Sequence, residues 1–257
     1  MNNFAKYIDI NCDLGEGVNE LDCQKDHLLM QYISSCNIAC SGHAGNELTM
    51  RLSIINAVSS DLNIGAHPGY PDKANFGRHT IEISDQALTN SIRSQVDLLK
   101  VELDKHAKEL SHIKFHGALY NDIEKNEQLA LNMAELCKRH YPNTKLMGLA
   151  NGKLQAACDT YSLDFISEGF MDRVYLCSGK LTPRSERNSV IYDPDIAIKQ
   201  ALALTRREPI LTSDGGEIRM QVKSICLHGD NPQAPLIAKL LIERFNKEDI
   251  NVGSGLS

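Results

Sequence analysis

The 257-residue sequence predicts an α/β fold: a distorted (β/α) barrel of about seven parallel strands, with residues 1–257 forming one domain and a small β-hairpin inserted late in the chain. Three observations lead there. Seven short apolar or β-branched runs recur along the chain, each ending in a polar, Gly-flanked group. Helix-patterned stretches separate them, so strand and helix alternate about seven times and the strands must lie parallel. No composition shift or linker divides the alternation, and a single barrel of about 250 residues accounts for the whole length.

The runs, in order, are Tyr7 to Cys12, Cys36 to Ala39, Asn63 to Ala66, His112 to Phe115, Lys145 to Leu149, Asp164 to Ser167 and Ser224 to Leu227. Apolar residues at i, i+3, i+4 spacing predict helices over Glu47 to Ser60, Ser84 to Leu110, Glu127 to His140, Gly152 to Tyr161, Pro194 to Arg206 and Pro232 to Phe245. Ser84 with Asp85 supplies a helix start, and Pro194 and Pro232 suit a first helical turn. Two segments interrupt the rhythm. Gly69 to Thr80, rich in Pro and Gly, reads as a long functional loop. Pro209 to Val222, with Asp214-Gly215-Gly216 at its centre, reads as the hairpin.

Composition removes several function classes. The net charge of −6, without Lys/Arg blocks, argues against nucleic acid or an anionic membrane as partner. Aromatic residues make up only 5%, with no Trp, which leaves no stacking platform for single strands. No apolar run reaches the roughly 18 residues of a membrane span. Met1 to Tyr7 carries no basic segment followed by an apolar one, so a cytoplasmic location is expected. The eight Cys are scattered singly and are expected to be reduced and mostly buried.

Chemistry collects where the runs end. Asn11, Asp13 and Glu16 follow the first; His43, His67, His116 and Asn151 follow later ones; Glu168 with Asp172 and Arg173 and then His228 with Asp230 complete the set. In a parallel barrel these groups converge on the C-terminal rim, where barrel active sites are built. Any one of them has an ordinary explanation as a capping or hydrogen-bonded residue. Four of nine His at equivalent strand ends point instead to a shared site, while His27, His79, His106, His112 and His140 read as solvated or capping residues. Lys114, two before His116, faces the same side of its strand. Mixed Asp, Glu and His support either a divalent metal site, with Asp13, His43 and His67 as ligands, or metal-free acid/base chemistry. Gly148 to Lys153 is one residue short of a P-loop and lacks the Ser/Thr; its turn into a helix could present N–H groups to an anion, but an ordinary strand-to-helix loop is the favoured reading.

The motifs together resemble the LamB/YcsF family. Ile10-Asn11-Cys12-Asp13-Leu14-Gly15-Glu16-Gly17, Asn37 to Cys40 with His43-Ala44-Gly45, and Gly65 to Asp72 with Phe76-Gly77-Arg78 carry the resemblance. So do Lys114 with His116 to Asn121, Glu168-Gly169-Phe170 with Asp172-Arg173 and Tyr175, Leu181 with Pro183-Arg184, and His228-Gly229-Asp230. Asn46, after His-Ala-Gly, and Ser178, before Gly179, depart from the acidic residues common at those places in the family.

The resemblance implies a seven-stranded barrel of the glycoside hydrolase/deacetylase type and the A component of an ATP-dependent 5-oxoprolinase. Such a component works with subunits B and C to open 5-oxoproline to L-glutamate, with ATP and Mg2+ as cofactor; homo-oligomers are a further possible assembly. The implied catalytic groups are Asp13, Glu16, His43, His67, Lys114, His116 and Glu168. Asn11, Asp172, Arg173, Arg184, His228 and Asp230 are the implied substrate- and phosphate-binding groups. The competing expectations are a metal-dependent deacetylase or amidohydrolase acting without ATP, and a non-catalytic subunit that binds substrate.

Overall fold

A computed structural model describes residues 7–253. Seven parallel strands close a barrel: β1 (Tyr7–Leu14), β2 (Ser35–Ala39), β3 (Asn63–His67), β4 (His112–Lys114), β5 (Lys145–Leu149), β6 (Phe165–Phe170) and β9 (Ser224–Cys226). Each pairs with the next, β6 pairs with β9, and β9 returns to β1 through Asp9↔Ser224 and Asn11↔Cys226. The expected barrel is therefore observed. An unexpected two-residue strand, β10 (Asn251–Val252), pairs with β1 at Tyr7 and Ile8, ahead of the stretch that β9 occupies.

Helices α2 (Glu47–Ser59), α3 (Asp85–Asp104), α5 (Glu127–His140), α6 (Lys153–Tyr161), α7 (Pro194–Arg206) and α8 (Ala234–Lys247) lie where periodicity places them. α3 stops six residues before Leu110, because Ala107 takes a left-handed φ of 51°. Its buried stripe, Leu88, Ile92, Val96, Leu99 and Leu103, has the mixed i+3, i+4 spacing of a face seated on the sheet. Asn46 caps α2 through Thr49, a reciprocal capping box. The predicted hairpin forms from β7 (Ile210–Leu211) and β8 (Glu217–Ile218), antiparallel across the Asp214–Gly216 turn. Two helices had no clear periodic signal: α1 (Glu20–Met30), which buries only Cys23, Leu29 and Met30, and α4 (Gly117–Ile123).

Alternation sorts most strands into an apolar outer face and a polar inner one, while β5 and β6 turn Met147 and Ile166 inward, in register with Lys114. Ile10, Cys12, Ile38, Ile64, Ile113, Leu146 and Ile225 belong to the apolar core. Facing the other way, the barrel interior is a hydrogen-bonded polar column where branched aliphatic layers are usual. At its base Asp9 accepts hydroxyl hydrogen bonds from Ser34 and Ser35, both 2.6 Å, and from Ser224. Above it Asn11 donates to Ser224 and Glu168, and Asn37 donates to Asn11 and Asp13. Among the described residues no helix is long and apolar enough to cross a membrane.

Candidate active site

The polar column opens into a cavity of about 620 Å³ lined by Asp13, Glu16, His67, Lys114, His116, Phe170, Arg173, Arg184, His228 and Asp230, among others. The rim therefore gathers most of the groups singled out at strand ends. Asn11 and Glu168 are deeper than expected: both are fully buried inside the barrel, Asn11 because it lies within its run and Glu168 because β6 continues past Ser167 to Phe170. Asn151 does not join the cavity and sits in an exposed turn where its N–H bonds Gln155.

Lys114 forms the floor. Its ammonium, 2% exposed, donates to Asn11 Oδ1 at 3.1 Å and Asp13 Oδ1 at 2.9 Å and lies 2.7 Å from Glu168 Oε1. Burial works against this charge, but Asp13 and Glu168 overcome it and hold the Lys114 pKa well above the ordinary value. Burial likewise opposes ionisation of Asp13, yet His67 and Lys114 keep its carboxyl well below the usual range. Tyr120, a residue not anticipated at the site, donates its hydroxyl to Glu168 Oε2 at 3.1 Å.

One wall carries three imidazoles. His67 Nδ1 donates to the Lys114 carbonyl at 2.8 Å and His116 Nε2 to the Phe76 carbonyl at 2.9 Å, which fixes both tautomers, since a carbonyl can only accept. The remaining nitrogens, His67 Nε2 and His116 Nδ1, face each other at 3.0 Å. Glu16 Oε1 lies 3.3 Å from His116 Nδ1, 3.0 Å from His43 Nε2 and 4.0 Å from His67 Nε2. His43 stacks on His116 with ring centroids 3.6 Å apart and 3° between planes. Burial, reinforced by neighbouring imidazoles, pushes the pKa of His43 and of His116 well below 6.5. Burial pulls His67 the same way, but the charge and hydrogen bond of Asp13 outweigh it and the pKa is raised. Burial raises Glu16. The 69–80 loop brings Phe76 to this wall through Gly77, whose φ of +60° and whose missing Cβ, 2.6 Å from His43 Cβ, leave space for no larger residue.

The mouth is ionic. Asp230 accepts from Arg78 and, at 3.0 Å, from Arg184, joining three loops; Arg78 is not among the expected site residues, although it ends the Phe76-Gly77-Arg78 motif. Asp172 stands behind the cavity, fully buried, and accepts His228 Nδ1 at 2.8 Å and His228 N at 3.2 Å, so it orients His228. Arg173, 4% exposed, commits N–H groups to the Ser189 and Thr182 carbonyls and braces the loop after β6. His112, expected to be solvated, is the clearest correction: it is fully buried within the barrel, with Nε2 2.6 Å from Asn37 Oδ1, and burial lowers its pKa to about 3. Gly65 makes room for it, since a Cβ there would lie 2.2 Å from His112 Nε2. The P-loop-like turn offers no free anion site, because Glu124 already accepts Lys153 N and Leu154 N at the start of α6.

The LamB/YcsF family profile matches residues 8–255. The chain belongs to the LamB/YcsF family. Curated relatives are similar over nearly their whole length: the 5-oxoprolinase A component of Haemophilus influenzae is 38% identical over 247 residues, 96% of this chain and 99% of that protein. Its counterpart from Histophilus somni is 37% identical over 251 residues, 98% and 100% of the two chains. Among solved structures, the lactam utilization protein from Thermus thermophilus has a TM-score of 0.89 at 29% identity, covering 96% of this chain and 99% of its own. In this LamB/YcsF chain the motifs at the strand ends supply the floor, the histidine wall and the ionic mouth of one cavity.

Proposed function

We propose that this LamB/YcsF chain is the A component of an ATP-dependent 5-oxoprolinase, opening 5-oxo-L-proline to L-glutamate together with subunits B and C. The observation that carries the reading is the pairing, in one cavity, of acid/base groups at the floor with arginines at the mouth. Near full-length similarity to proteins named as that component of 5-oxoprolinase supports it. A small lactam fills only part of about 620 Å³, which leaves volume for the phosphates of MgATP beside Arg78 and Arg184.

In this reading the γ-phosphoryl group of ATP passes to the lactam oxygen, giving ADP and an activated ring carbon. Water attacks that carbon and gives up its proton to Asp13, whose Oδ2 lies 3.4 Å from His67 Nε2. The ring nitrogen leaves with a proton, and a second water releases phosphate from the resulting acyl phosphate to yield glutamate. The Lys114 ammonium, buried at the cavity floor, faces the charge that develops on oxygen. The cluster of Glu16, His43, His67 and His116 favours a second reading, a metal-dependent amidohydrolase working without ATP.

The test adds 5-oxoproline and MgATP to this chain alone and with subunits B and C, measuring glutamate and ADP. Equal glutamate and ADP from the full set alone is expected. Glutamate formed without ATP would replace the proposal by the amidohydrolase reading, and no glutamate from the full set would overturn both.

A further inference from the structure

The histidine wall contains a contact that neutral imidazoles cannot make. With His67 Nδ1–H and His116 Nε2–H both committed to carbonyls, the unprotonated His67 Nε2 and His116 Nδ1 are left 3.0 Å apart. Two acceptors at that distance repel, so something positive belongs between them. A single proton would join these two atoms only. A third donor converges on the same place, Glu16 Oε1, 3.3 Å from one nitrogen and 4.0 Å from the other. Separations of 3.0 to 4.0 Å bracket the roughly 3.4 Å edge of a tetrahedron with metal–ligand bonds of about 2.1 Å.

Ring planes decide which histidines take part. An imidazole binds a metal in its own plane, along the nitrogen lone pair. His67 and His116 are perpendicular, at 90°, so their planes share a line on which one ion satisfies both. His43 and His116 are parallel, at 3° and 3.6 Å apart, and parallel planes share no point. His43 is thereby removed from the ligand set expected from sequence. Its Nε2 instead holds Glu16 at 3.0 Å.

We propose that His67 Nε2, His116 Nδ1 and Glu16 Oε1 bind one divalent transition cation of the zinc, manganese or cobalt class, with His43 as a positioning residue for the carboxylate. Two imidazoles and one carboxylate suit such ions better than Mg2+ or Ca2+, and the carbonyls of Lys114 and Phe76 orient the two rings, as outer partners do at metal centres. All three ligands line the cavity, so the remaining coordination positions open toward whatever it binds. The site stands whether or not the lactam reading holds.

The full chain, stripped with a chelator and dialysed, is titrated with Co2+ at neutral pH and followed by visible absorption and calorimetry. One equivalent and ligand-field bands are expected; no saturable binding of Co2+, Zn2+ or Mn2+ would overturn the proposal in favour of a shared proton. X-ray absorption of the loaded protein is expected to count two imidazoles, and three would refute the ring-plane argument. His67→Gln and His116→Gln are expected to abolish binding, whereas His43→Gln keeps the bands and weakens affinity about 10–100-fold. Retained tight binding in a folded His67→Gln protein, checked by circular dichroism, would place the ion elsewhere and overturn the assignment. None of these readouts involves 5-oxoproline or ATP, so their failure is distinct from failure of the oxoprolinase assay.

Discussion

Replacing Lys114 by methionine removes the only ammonium in contact with Asp13 and Glu168 among the described residues while keeping the volume of the aliphatic stem. Breaking a buried ion pair from one side costs about 3–5 kcal/mol, because the partner charge is left behind. The lower end applies here. Asp13 keeps the Asn37 amide at 2.7 Å and Glu168 keeps Asn11 at 3.0 Å and the Tyr120 hydroxyl at 3.1 Å, so neither carboxylate is stripped of donors. About 3 kcal/mol in a domain of this size lowers Tm by roughly 6–12 °C, at about 2–4 °C per kcal/mol. Thermal unfolding at pH 7.5 by circular dichroism measures it, with Lys125→Met as comparison. Lys125 pairs with Asp122 at 3.5 Å with its side chain 67% exposed, and its loss is expected to move Tm by under about 2 °C. Adding Glu168→Gln to Lys114→Met removes the stranded charge and is expected to recover about 1–2 kcal/mol. A Tm within about 2 °C of wild type for Lys114→Met, or no recovery in the double variant, would refute the charge argument.

Other expectations follow from single contacts. Gly77→Ala meets both a left-handed φ and the His43 side chain, whereas Gly179→Ala meets only its φ of +80°, with no atom within 4 Å. The first is expected to cost at least about 1 kcal/mol more than the second by urea unfolding, and equal costs would contradict the close packing of the 69–80 loop on His43. His112 has a folded pKa of about 3 against 6.5 for a free histidine, so the unfolded chain takes up its proton first as pH falls. Its contribution to stability is complete above about pH 6.5 and is lost toward about pH 3. His112→Gln is therefore expected to flatten the acid limb of Tm against pH between about 6.5 and 4, and parallel limbs would refute this. Asp172→Asn weakens the carboxylate that holds His228, and a fall in kcat of at least about 10-fold with a changed pH profile is expected in the full enzyme; an unchanged profile would leave Asp172 a structural residue alone.

The barrel was legible because most of its strands obey one rule, an apolar outer face and a chemical inner one, and because its larger helices bury a recurring stripe. Where that rule fades, the sequence is silent. α1 exposes Leu21 and Leu28 and buries three residues, so its periodicity is lost, although Asn19 ahead of Glu20 and Asp22 is a capping signal that could have marked its start. α4 begins at Gly117 with φ +55° and no side-chain cap. His112 reads as a flanking residue because it opens its run, and only the register Gly65↔His112 reveals that it points inward. The Phe76 and Lys114 carbonyls, which set both histidine tautomers, are backbone atoms that any residue could supply.

That the inner face is polar to its base explains how the site keeps its geometry. Asp9 is held by hydroxyls from both neighbouring strands, Ser224 links it to Asn11, Asn11 and Lys114 meet Glu168, and Asn37 ties Asn11 to Asp13. Each layer is positioned by the one beneath it, so the groups at the cavity floor are held in place before anything binds above them. The apolar contribution to folding is displaced to the sheet–helix layer, where Ile10, Ile38, Ile64, Ile113 and Ile225 are buried behind the same strands. In β1 to β4 the two functions of a strand are thereby separated by one residue of register. Truncating Ile113 removes packing and leaves the column intact, whereas changing Lys114 beside it disturbs stability and chemistry together.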